Sequence, residues 1–428
     1  MVAGRSADVI VLGLGAMGGA ALHHLAARGV RVLGIEQFEV GHDRGSSHGE
    51  TRIIRKAYFE HPDYVPLLER AYRLWAELET ATGERLFDRT GLLLIGAPEG
   101  RVAAGVRRSR ALHGLAVDDL GPAAVAARFP ELGCGNGMTG LFEADAGQLR
   151  VEACVRAHVA RAQAMGARVL TGERVTGWRA DGDGVTVRTA SAEHRAGSLV
   201  IAAGAWSARM LADLGLPLVV RRRVQLWFAT EDPALSLAGG CPVFAYDLPE
   251  GFFYGFPARE GRMKVACHSG AGVGDGGGAA NGVAGGDDGN GDGGDGGAQR
   301  ARDGAEASGD GSAGRDREVD PDGLDRSLRA ADVAPVARFL ADWVPGVGRE
   351  PLAHCVCMYT LTPDEHFVID RHPRHANVCF AAGFSGHGFK FAPLVGSVLA
   401  DLATTGVTWE AVGFLGLGAR RWGAARGK

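Results

Sequence analysis

DVIVLGLGAMG, at residues 8–18, is the stretch that decides the fold. Residues 8–12 form a short, apolar, β-branched run, which predicts a buried strand. Over residues 16–28 the apolar side chains recur at helical spacing, which predicts a helix that stops before Gly29. Between strand and helix lies a turn with the spacing G-x-G-x-x-G. Its glycines are Gly13, Gly15 and Gly18.

A second strand is predicted at residues 30–35 (VRVLGI), which completes a β-α-β unit. Its right-handed crossover makes the two strands parallel neighbours. At the end of the second strand, the carboxylate of Glu36 is placed to accept hydrogen bonds from ribose hydroxyls, and the helix N-terminus can meet a pyrophosphate. The unit therefore predicts a dinucleotide site without a 2′-phosphate. A glycine turn that serves only close helix packing is the alternative.

Length and composition favour a two-domain protein with a small-molecule partner. The chain has 428 residues, of which 46% are hydrophobic, and a formal net charge of -4. This length exceeds what single cores usually support, and the charge offers no basic field for nucleic acid or an anionic membrane. Seven cysteines without CxxC spacing predict neither a disulfide framework nor a metal site. Without a signal peptide or a membrane-length apolar stretch, a soluble cytoplasmic protein is expected.

The order of predicted elements gives the fold class, α/β (α+β, two-domain). A Rossmann-like domain that binds the cofactor is expected together with a second, mostly antiparallel β-sheet domain that binds substrate. The glycine turn at Gly204 follows a buried strand and returns the chain to the nucleotide-binding sheet. The predicted first domain is discontinuous, at 1–85, 145–215 and 350–428. The second covers 86–144 and 216–349.

Residues 269–317 differ in composition from the rest of the chain, being mostly Gly, Asp, Ala, Ser and Asn. So few large apolar residues cannot offset the entropy cost of ordering, and a disordered surface insertion is predicted. A calcium-binding glycine-aspartate repeat is the alternative, but no regular period supports it.

Several cationic and thiol side chains are further candidates. The segment at 45–55 (GSSHGETRIIR) places two arginines three residues apart, a density of cations that suits an anionic group in a cleft. Lys264 lies in a strand-like run, where a solvent-facing role is the ordinary interpretation. Cys355 and Cys357 share one side of a predicted strand, where small core residues are the ordinary interpretation. Gly386 and Gly388 belong to a loop before a helix, whose N-terminus can meet the flavin region that becomes anionic on reduction.

Long blocks of this sequence resemble monomeric sarcosine oxidase and N-methyltryptophan oxidase, within the D-amino-acid-oxidase-like flavoproteins. The resemblance covers nearly the whole chain. Its specific motifs are the glycine turn, HGETRIIR at 48–55, CMYTLTPDEHF at 357–367 and GFSGHGFKF at 383–391.

This resemblance implies a covalent FAD and a role for each matching residue. Cys357 would be bonded to the flavin, and Thr51 would join the cofactor-binding residues. Arg55 and Lys390 would bind the substrate carboxylate. Further side chains would line the substrate pocket on that face of the ring, namely Tyr254, His268 and Tyr359. On the opposite face, oxygen would meet a cationic site made of His48, Arg52 and Lys264.

The implied reaction is oxidation of a secondary-amine amino acid such as sarcosine. It gives an imine that hydrolyses to the primary amine and formaldehyde, while O₂ becomes H₂O₂. A larger or cyclic substrate (N-methyltryptophan, pipecolate or a biosynthetic imino acid), or a dehydrogenase with another electron acceptor, remains open. A nucleotide-binding protein without catalysis is the alternative from a different class. Family precedent favours a monomer.

Overall fold

The structure is a computed structural model that describes residues 7–270, 317–420 and 422. Residues 271–316, which make up nearly all of the predicted insertion at 269–317, lie outside the described residues. Among the described residues, no helix combines the length and apolar character that crossing a bilayer requires.

The helices of the described residues include the one predicted after the glycine turn, which ends one residue earlier than predicted. They are α1 (Ala16–Ala27), α2 (Tyr64–Thr82), α3 (Arg101–His113), α4 (Pro122–Arg128), α5 (Val151–Ala164), α6 (Ser207–Met210), α7 (Ala330–Trp343) and α8 (Ala392–Thr404). Single turns of 3₁₀ helix add to these at Gly204–Trp206, Ala212–Leu214, Pro233–Leu235, Pro321–Gly323, Phe389–Phe391, Gly413–Leu415 and Leu417–Ala419.

Strands account for most of the remaining regular structure. They are β1 (Val9–Leu12), β2 (Val32–Ile35), β3 (Thr51–Ile54), β4 (Phe87–Asp88), β5 (Leu92–Gly96), β6 (Asp118–Leu120), β7 (Thr139–Glu143), β8 (Gly147–Arg150), β9 (Arg168–Leu170), β10 (Val175–Asp181), β11 (Gly184–Thr189), β12 (Glu193–Ala196), β13 (Ser198–Ile201), β14 (Val219–Ala229), β15 (Val243–Leu248), β16 (Gly251–Gly255), β17 (Arg262–Gly270), β18 (Pro351–Leu361), β19 (Val368–His372) and β20 (His375–Ala382).

The predicted β-α-β unit forms the centre of a mostly parallel sheet. Its strand order is β19-β20-β13-β1-β2-β9, in which β1 runs parallel to both β2 and β13. Only the edge pair of β19 with β20 is antiparallel within this sheet. All residues of β1 and β2 are buried, as expected for strands that are covered on both faces. The predicted Rossmann-like part of the fold is confirmed.

A second, larger sheet has the order β18-β14-β17-β16-β15-β5-β7-β6. Every neighbouring pair is antiparallel except β15 with β5. Helix α7 packs on it, with the rings of Phe339 and Phe253 stacked at 4.7 Å. The predicted mostly antiparallel sheet is therefore confirmed. Strand β18 makes its hydrogen bonds here, although the predicted boundary at 350 grouped its residues with the nucleotide-binding segments.

Two smaller sheets complete the fold. One has the order β3-β8-β4 and holds the arginine segment against α5, and the other, β10-β11-β12, packs against the mostly parallel sheet. The carboxyl ends of β1, β2 and β13 open toward β18 of the large sheet. Ligands of open α/β sheets bind at such carboxyl ends, so the fold places the candidate site between the two main sheets.

Candidate active site

The glycine turn after β1 allows a close approach that other residues would block. Gly13 has φ +83°, and a Cβ there would lie 2.6 Å from the carbonyl oxygen of Ala202. A Cβ at Gly18 would lie 1.7 Å from the carbonyl oxygen of Gly13. Both positions therefore require glycine. The Glu36 carboxylate accepts a hydrogen bond from the backbone N–H of Leu14 at 2.7 Å, which fixes it beside the turn.

A cleft runs from this turn to β18 and to the glycine loop before α8. Its empty volume is about 1370 Å³, open solvent at the mouth included. Its walls contain many of the predicted cofactor-binding residues, namely Gly13, Gly15, Glu36, Gly386 and Gly388. Met358 and Tyr359 of the C-M-Y-T block and Arg52 line it as well. Gly18 and Thr51 lie behind the wall, where they support it.

Cys357 lies beside two basic side chains at this wall. Its Sγ is 3.6 Å from Nη2 of Arg52, and only 1% of the residue is exposed. Burial opposes ionisation of Cys357, but a hydrogen bond from His48 and the charge of Arg52 lower its pKa to about 7. The thiol thus has thiolate character near neutral pH, which makes it a nucleophile.

His48 is the counterpart of this thiol. Burial opposes its protonation, but hydrogen bonds to Cys355 and Cys357 raise its pKa to about 9. Its Nε2 lies 3.1 Å from the carbonyl oxygen of Gly45, which only accepts, so this nitrogen donates. Arg52 lines the cleft, and His48 is buried behind it.

Lys264 is buried at 3% exposure, in contrast to the solvent-facing position that its residue type alone suggests. Its Nζ donates to the carbonyl oxygens of Gly49 at 2.5 Å and Thr51 at 2.7 Å, and lies 3.2 Å from Oγ1 of Thr51. Burial and then the charge of Arg52 lower its pKa well below the usual lysine value. The structure thus brings Lys264, Thr51 and Arg52 together through strand β3.

Tyr254, His268 and Tyr359 form a second group, on β16, β17 and β18. Nδ1 of His268 lies 3.1 Å from the Tyr359 hydroxyl, and their ring centroids are 5.1 Å apart. The ring of Tyr254 meets that of His268 edge-on at 6.5 Å. Burial, followed by the charge of Arg223, lowers the pKa of His268 to about 3. This group therefore offers neutral aromatic walls at neutral pH.

Arg55 and Lys390, the predicted carboxylate-binding pair, are both 5% exposed. Nη2 of Arg55 donates to both carboxylate oxygens of Glu60 at 2.7 Å. Burial and then the charge of Arg55 lower the pKa of Lys390 to about 7, against the effect of Glu60. Burial opposes ionisation of Glu60, but the charges of Arg55, His387 and Lys390 lower its pKa to about 2.

Sequence reasoning assigned no role to Tyr58, Glu60 or His387, which contact this pair. Tyr58 and Glu60 follow Arg55 directly in the sequence, and His387 stands inside the quoted glycine loop. A carboxylate five residues after an arginine of a candidate anion site is the sequence signal that could have found Glu60. The contact between Tyr58 and His387 joins residues distant in sequence and carries no local signal.

The cleft fits a flavin dinucleotide by the chemistry of its walls. The N-terminus of α1 has no acidic residue in its first turn, so its backbone N–H groups and dipole suit a pyrophosphate. A Cβ at Gly15 would meet no atom closer than 3.6 Å, which leaves space above the turn. The guanidinium of Arg52 at the other end suits a ring that becomes anionic on reduction.

Within the described residues, Asp213, His372 and His375 bring potential metal-ligand atoms within 4.8 Å of one another. The Asp213 carboxylate already accepts hydrogen bonds from His372 and Arg374. His372 and His375 lie on the β19–β20 hairpin and Asp213 lies on the 3₁₀ turn Ala212–Leu214, and none of the three lines the cleft.

Comparison with known proteins agrees with this geometry. The family described as FAD dependent oxidoreductase matches residues 8–402. The monomeric sarcosine oxidase of Streptomyces avermitilis is 39% identical over 95% of this chain and 96% of its own length. N-methyl-L-tryptophan oxidase of Citrobacter koseri is 34% identical over 92% of this chain and 94% of its own.

A solved structure shows the same fold. NikD, described as an unusual amino acid oxidase essential for nikkomycin biosynthesis, superposes in its open form with a TM-score of 0.75. The match covers 96% of this chain and 98% of that chain at 24% sequence identity.

Proposed function

The chain belongs to the family of FAD dependent oxidoreductases, and from this membership we propose that it oxidises amino acids that carry a secondary amine, such as sarcosine. Its relatives named monomeric sarcosine oxidase and N-methyl-L-tryptophan oxidase support an N-methyl amino acid as the substrate class. FAD in the cleft would supply the acceptor for a hydride equivalent and would pass its electrons to O₂, which becomes H₂O₂.

Arg55 and Lys390 hold the substrate by its carboxylate in this proposal. Two cations within reach of one carboxylate give charge-assisted hydrogen bonds in a buried setting, where such bonds are strong. To reach Arg55, the substrate carboxylate has to compete with Glu60, which holds Nη2 in this structure. The pair fixes the end of the substrate that does not react, so that the N-methyl carbon projects toward the ring.

The same charges select the neutral form of the substrate amine. An ammonium ion next to Arg55 and Lys390 would be repelled, and the negative charge of Glu60 is already engaged by Arg55. Tyr254 and Tyr359 give the amine an uncharged, aromatic surrounding. A neutral amine retains the lone pair that assists removal of hydride from the neighbouring carbon.

The atoms of the proposed reaction balance without a further reactant. The carbon–nitrogen bond loses two electrons and two protons, and the resulting imine takes up one water. For an N-methyl amino acid, O₂ and water are consumed, and the primary amino acid, formaldehyde and H₂O₂ are formed.

His48, Arg52 and Lys264 form the oxygen-facing side in this proposal. A fixed cation stabilises the negative charge that develops when O₂ accepts its first electron, and burial strengthens that effect. Lys264 is held by backbone oxygens of Gly49 and Thr51, so its ammonium needs no reorganisation during the reaction.

We further propose that Cys357 tethers the flavin through a thioether. Its support is the thiol's position 3.6 Å from Arg52, a wall residue of the cleft, together with its lowered pKa. Cys355 lies two residues away, and the pKa of His48 is raised by both thiols. Cys355 therefore serves as the matched control for any test of attachment.

One observation carries the proposed function. A single cleft joins the nucleotide turn at Gly13 to Arg52 and the C-M-Y-T block, with the Arg55–Lys390 pair behind it. A nucleotide-binding protein without catalysis has no use for buried, unneutralised lysines at positions such as Lys264.

The test begins with acid precipitation of the purified holoprotein. We expect the yellow colour to remain with the protein for wild type and for Cys355→Ser, and to enter the supernatant for Cys357→Ser. Colour that leaves the wild-type protein would refute the tether while leaving the oxidase open.

A peroxide-coupled assay of N-alkyl amino acids then tests the reaction. Formation of peroxide with sarcosine as the substrate supports the proposal. Turnover only with N-methyltryptophan or pipecolate would shift the substrate to the larger class, and reduction of a dye without peroxide would indicate a dehydrogenase. No oxidation of any secondary-amine amino acid would contradict the proposed function.

A further inference from the structure

The ring of Tyr58 lies against both cations of the proposed carboxylate site. Tyr58 is fully buried at 0% exposure. The guanidinium carbon of Arg55 is 4.3 Å from its ring centroid, and Nζ of Lys390 is 5.2 Å from the same centroid. An aromatic face attracts cations within about 6 Å. One ring is thus shared by two like charges that otherwise repel each other.

The hydroxyl of this ring is fixed by His387. Nε2 of His387 lies 2.9 Å from the carbonyl oxygen of Glu365, and because a carbonyl only accepts, Nε2 carries the proton. Burial, against the charge of Glu60, lowers the pKa of His387 to about 4, so the ring is neutral. Nδ1 is then an acceptor, and the Tyr58 hydroxyl donates to it in a short hydrogen bond.

The same loop fixes Lys390. Its Nζ donates to the backbone oxygen of His387 at 2.7 Å, and its own carbonyl accepts from Nε1 of Trp75 at 2.9 Å. Glu365, which holds the His387 ring, has φ +58°, a backbone conformation unusual for a residue with a side chain. Strained geometry of this kind persists where the surrounding structure demands it. Glu365 of the C-M-Y-T block holds His387 of the glycine loop, and His387 in turn holds Tyr58.

Several charged or titratable groups act on Lys390. Arg55 opposes its protonation, while Glu60 favours it. His387 and His268 lie within electrostatic range as well, and both are neutral at neutral pH. The Tyr58 face adds an attraction for the charged form of Lys390, and it does so without a negative charge that would compete with substrate for the cations.

We propose that Tyr58 is a positioning residue for carboxylate binding, which holds Arg55 and Lys390 at a fixed separation and keeps Lys390 charged, while His387 orients its ring. This inference rests on the proposed function, since it assigns a role within the same substrate site. It adds a condition on the substrate class: binding of a carboxylate requires the charged form of Lys390. Carboxylate affinity therefore falls as pH rises through about 7, where Lys390 loses its proton.

The ring face and the hydroxyl can be separated by substitution. Tyr58→Phe retains the aromatic face, whereas Tyr58→Leu removes it at similar volume. Without the face, Lys390 beside Arg55 loses its proton at lower pH, and we expect carboxylate affinity to fall about tenfold, the upper part of what cation–π contacts contribute. Tyr246→Leu is the matched control, because Tyr246 is equally buried but lies in the core under the large sheet.

The experiment uses flavin-loaded enzyme and acetate as the carboxylate probe. Its dissociation constant is measured from the change in flavin absorbance between about pH 5 and 9, a range that spans the titration of Lys390. KM and kcat for sarcosine are measured in parallel. Thermal melting of each variant reports whether it is folded.

We expect wild type and Tyr246→Leu to lose acetate with a midpoint near pH 7. Tyr58→Phe retains the ring face but lacks the hydroxyl that His387 holds, so its acetate affinity should lie between those of wild type and Tyr58→Leu. Tyr58→Leu should show weaker binding, a lower midpoint, and a raised KM with little change in kcat. An unchanged midpoint and KM in Tyr58→Leu would overturn the inference, as would an equal change in Tyr246→Leu. If wild type oxidises sarcosine while Tyr58→Leu behaves identically, only this inference fails. If wild type neither oxidises sarcosine nor binds acetate, the proposed function fails with it.

Discussion

Cys357 and His48 shift each other's proton equilibrium in opposite directions at the wall of the cleft. The thiol pKa is lowered to about 7 and the imidazole pKa is raised to about 9. Each side chain thus favours the charged form of the other, thiolate for Cys357 and imidazolium for His48. The charge of Arg52 lies on the same side. A reactive sulfur and a cationic edge thus arise from three neighbouring side chains.

Lys264→Met tests the proposal that substrate binds on one face of the flavin ring and oxygen reacts on the other. Methionine retains the length and volume of the side chain but removes the fixed charge. We expect reoxidation of the reduced enzyme by O₂ to slow by at least about 100-fold, the size of effect that one preorganised charge produces. Reduction by sarcosine should change little. Stopped-flow absorbance, first without oxygen and then with it, measures the two half-reactions separately.

Lys56→Met is the control for this substitution, because Lys56 pairs with Asp145 at the surface. It should leave both half-reactions unchanged. Comparable slowing of reduction and reoxidation in Lys264→Met would remove the assignment of Lys264 to oxygen.

At the scale of elements, the local sequence pattern predicted secondary structure correctly where tertiary packing favours the same structure. The β1–turn–α1–β2 unit was predicted from periodicity and turn residues. Strand β8, by contrast, forms because residues 147–150 pair with β3. That pairing is long-range, so no local signal shows it.

Gly18→Ala tests the close contact within the turn. A Cβ would lie 1.7 Å from the carbonyl oxygen of Gly13, and backbone on both sides leaves no flexible atom to move. We expect a loss of at least about 2 kcal/mol in the free energy of unfolding, together with weaker flavin retention. Gly177→Ala is the control, because no atom lies within 4 Å of the added carbon. Equal urea midpoints for the two variants would contradict this account.

Helix α1 contains two partly buried histidines, His23 and His24, and α5 contains the buried His158. Burial lowers the pKa of His23 to about 4 and that of His24 to about 3, and it lowers the pKa of His158 well below the usual histidine value. Nδ1 of His23 and Nδ1 of His158 are 3.1 Å apart. The positive charges of Arg161 and Arg28 oppose protonation in addition.

These histidines predict acid instability of the fold. The unfolded chain binds their protons below about pH 6.5, whereas the folded chain does not until about pH 4. Stability is therefore complete above pH 6.5 and declines as pH falls toward 4, by roughly 2–3 kcal/mol for His23, whose pKa is lowered to about 4. Urea unfolding across this range measures the decline. His158→Leu should reduce the slope, while His113→Leu on α3 should retain it, and parallel slopes would refute the assignment.

At the scale of the whole molecule, a short segment after the undescribed region connects the walls of the cleft. Asp322 accepts hydrogen bonds from Arg174, Trp206 and Arg209, all of which line the cleft. Arg326 donates to the backbone oxygen of Val356, next to Cys357. Hydrogen bonds from the segment after residue 316 thus stabilise the walls of the cleft.

Replacement of residues 271–316 by a short glycine-serine linker tests the prediction that this insertion is a bystander. The contacts of Asp322 and Arg326 remain in such a variant, so we expect flavin content and melting temperature close to those of the full chain. Loss of flavin on deletion would show that the insertion contributes to the cofactor site.

The overall architecture could be predicted because apolar periodicity and turn residues in the sequence indicate the elements of both sheets. The active site could be predicted only in part. Residues alone indicated the glycine turn and Glu36, whereas the roles of Lys264 and Cys357 came from resemblance. Tyr58, Glu60 and His387 were missed, because their contacts with Arg55 and Lys390 exist only after α2, β3 and the loop before α8 pack together. Burial converted an ordinary lysine at 264 into a functional candidate.

The central claim is that this cleft holds a flavin that an N-methyl amino acid reduces and oxygen reoxidises. The most direct measurement mixes the holoenzyme with sarcosine in the absence of oxygen, records the flavin absorbance, and then admits air while peroxide is measured. The account predicts bleaching without oxygen, return of the colour in air, and one peroxide for each flavin reoxidised. An absorbance that no secondary-amine amino acid bleaches, or a reduced flavin that air does not reoxidise to give peroxide, would contradict it.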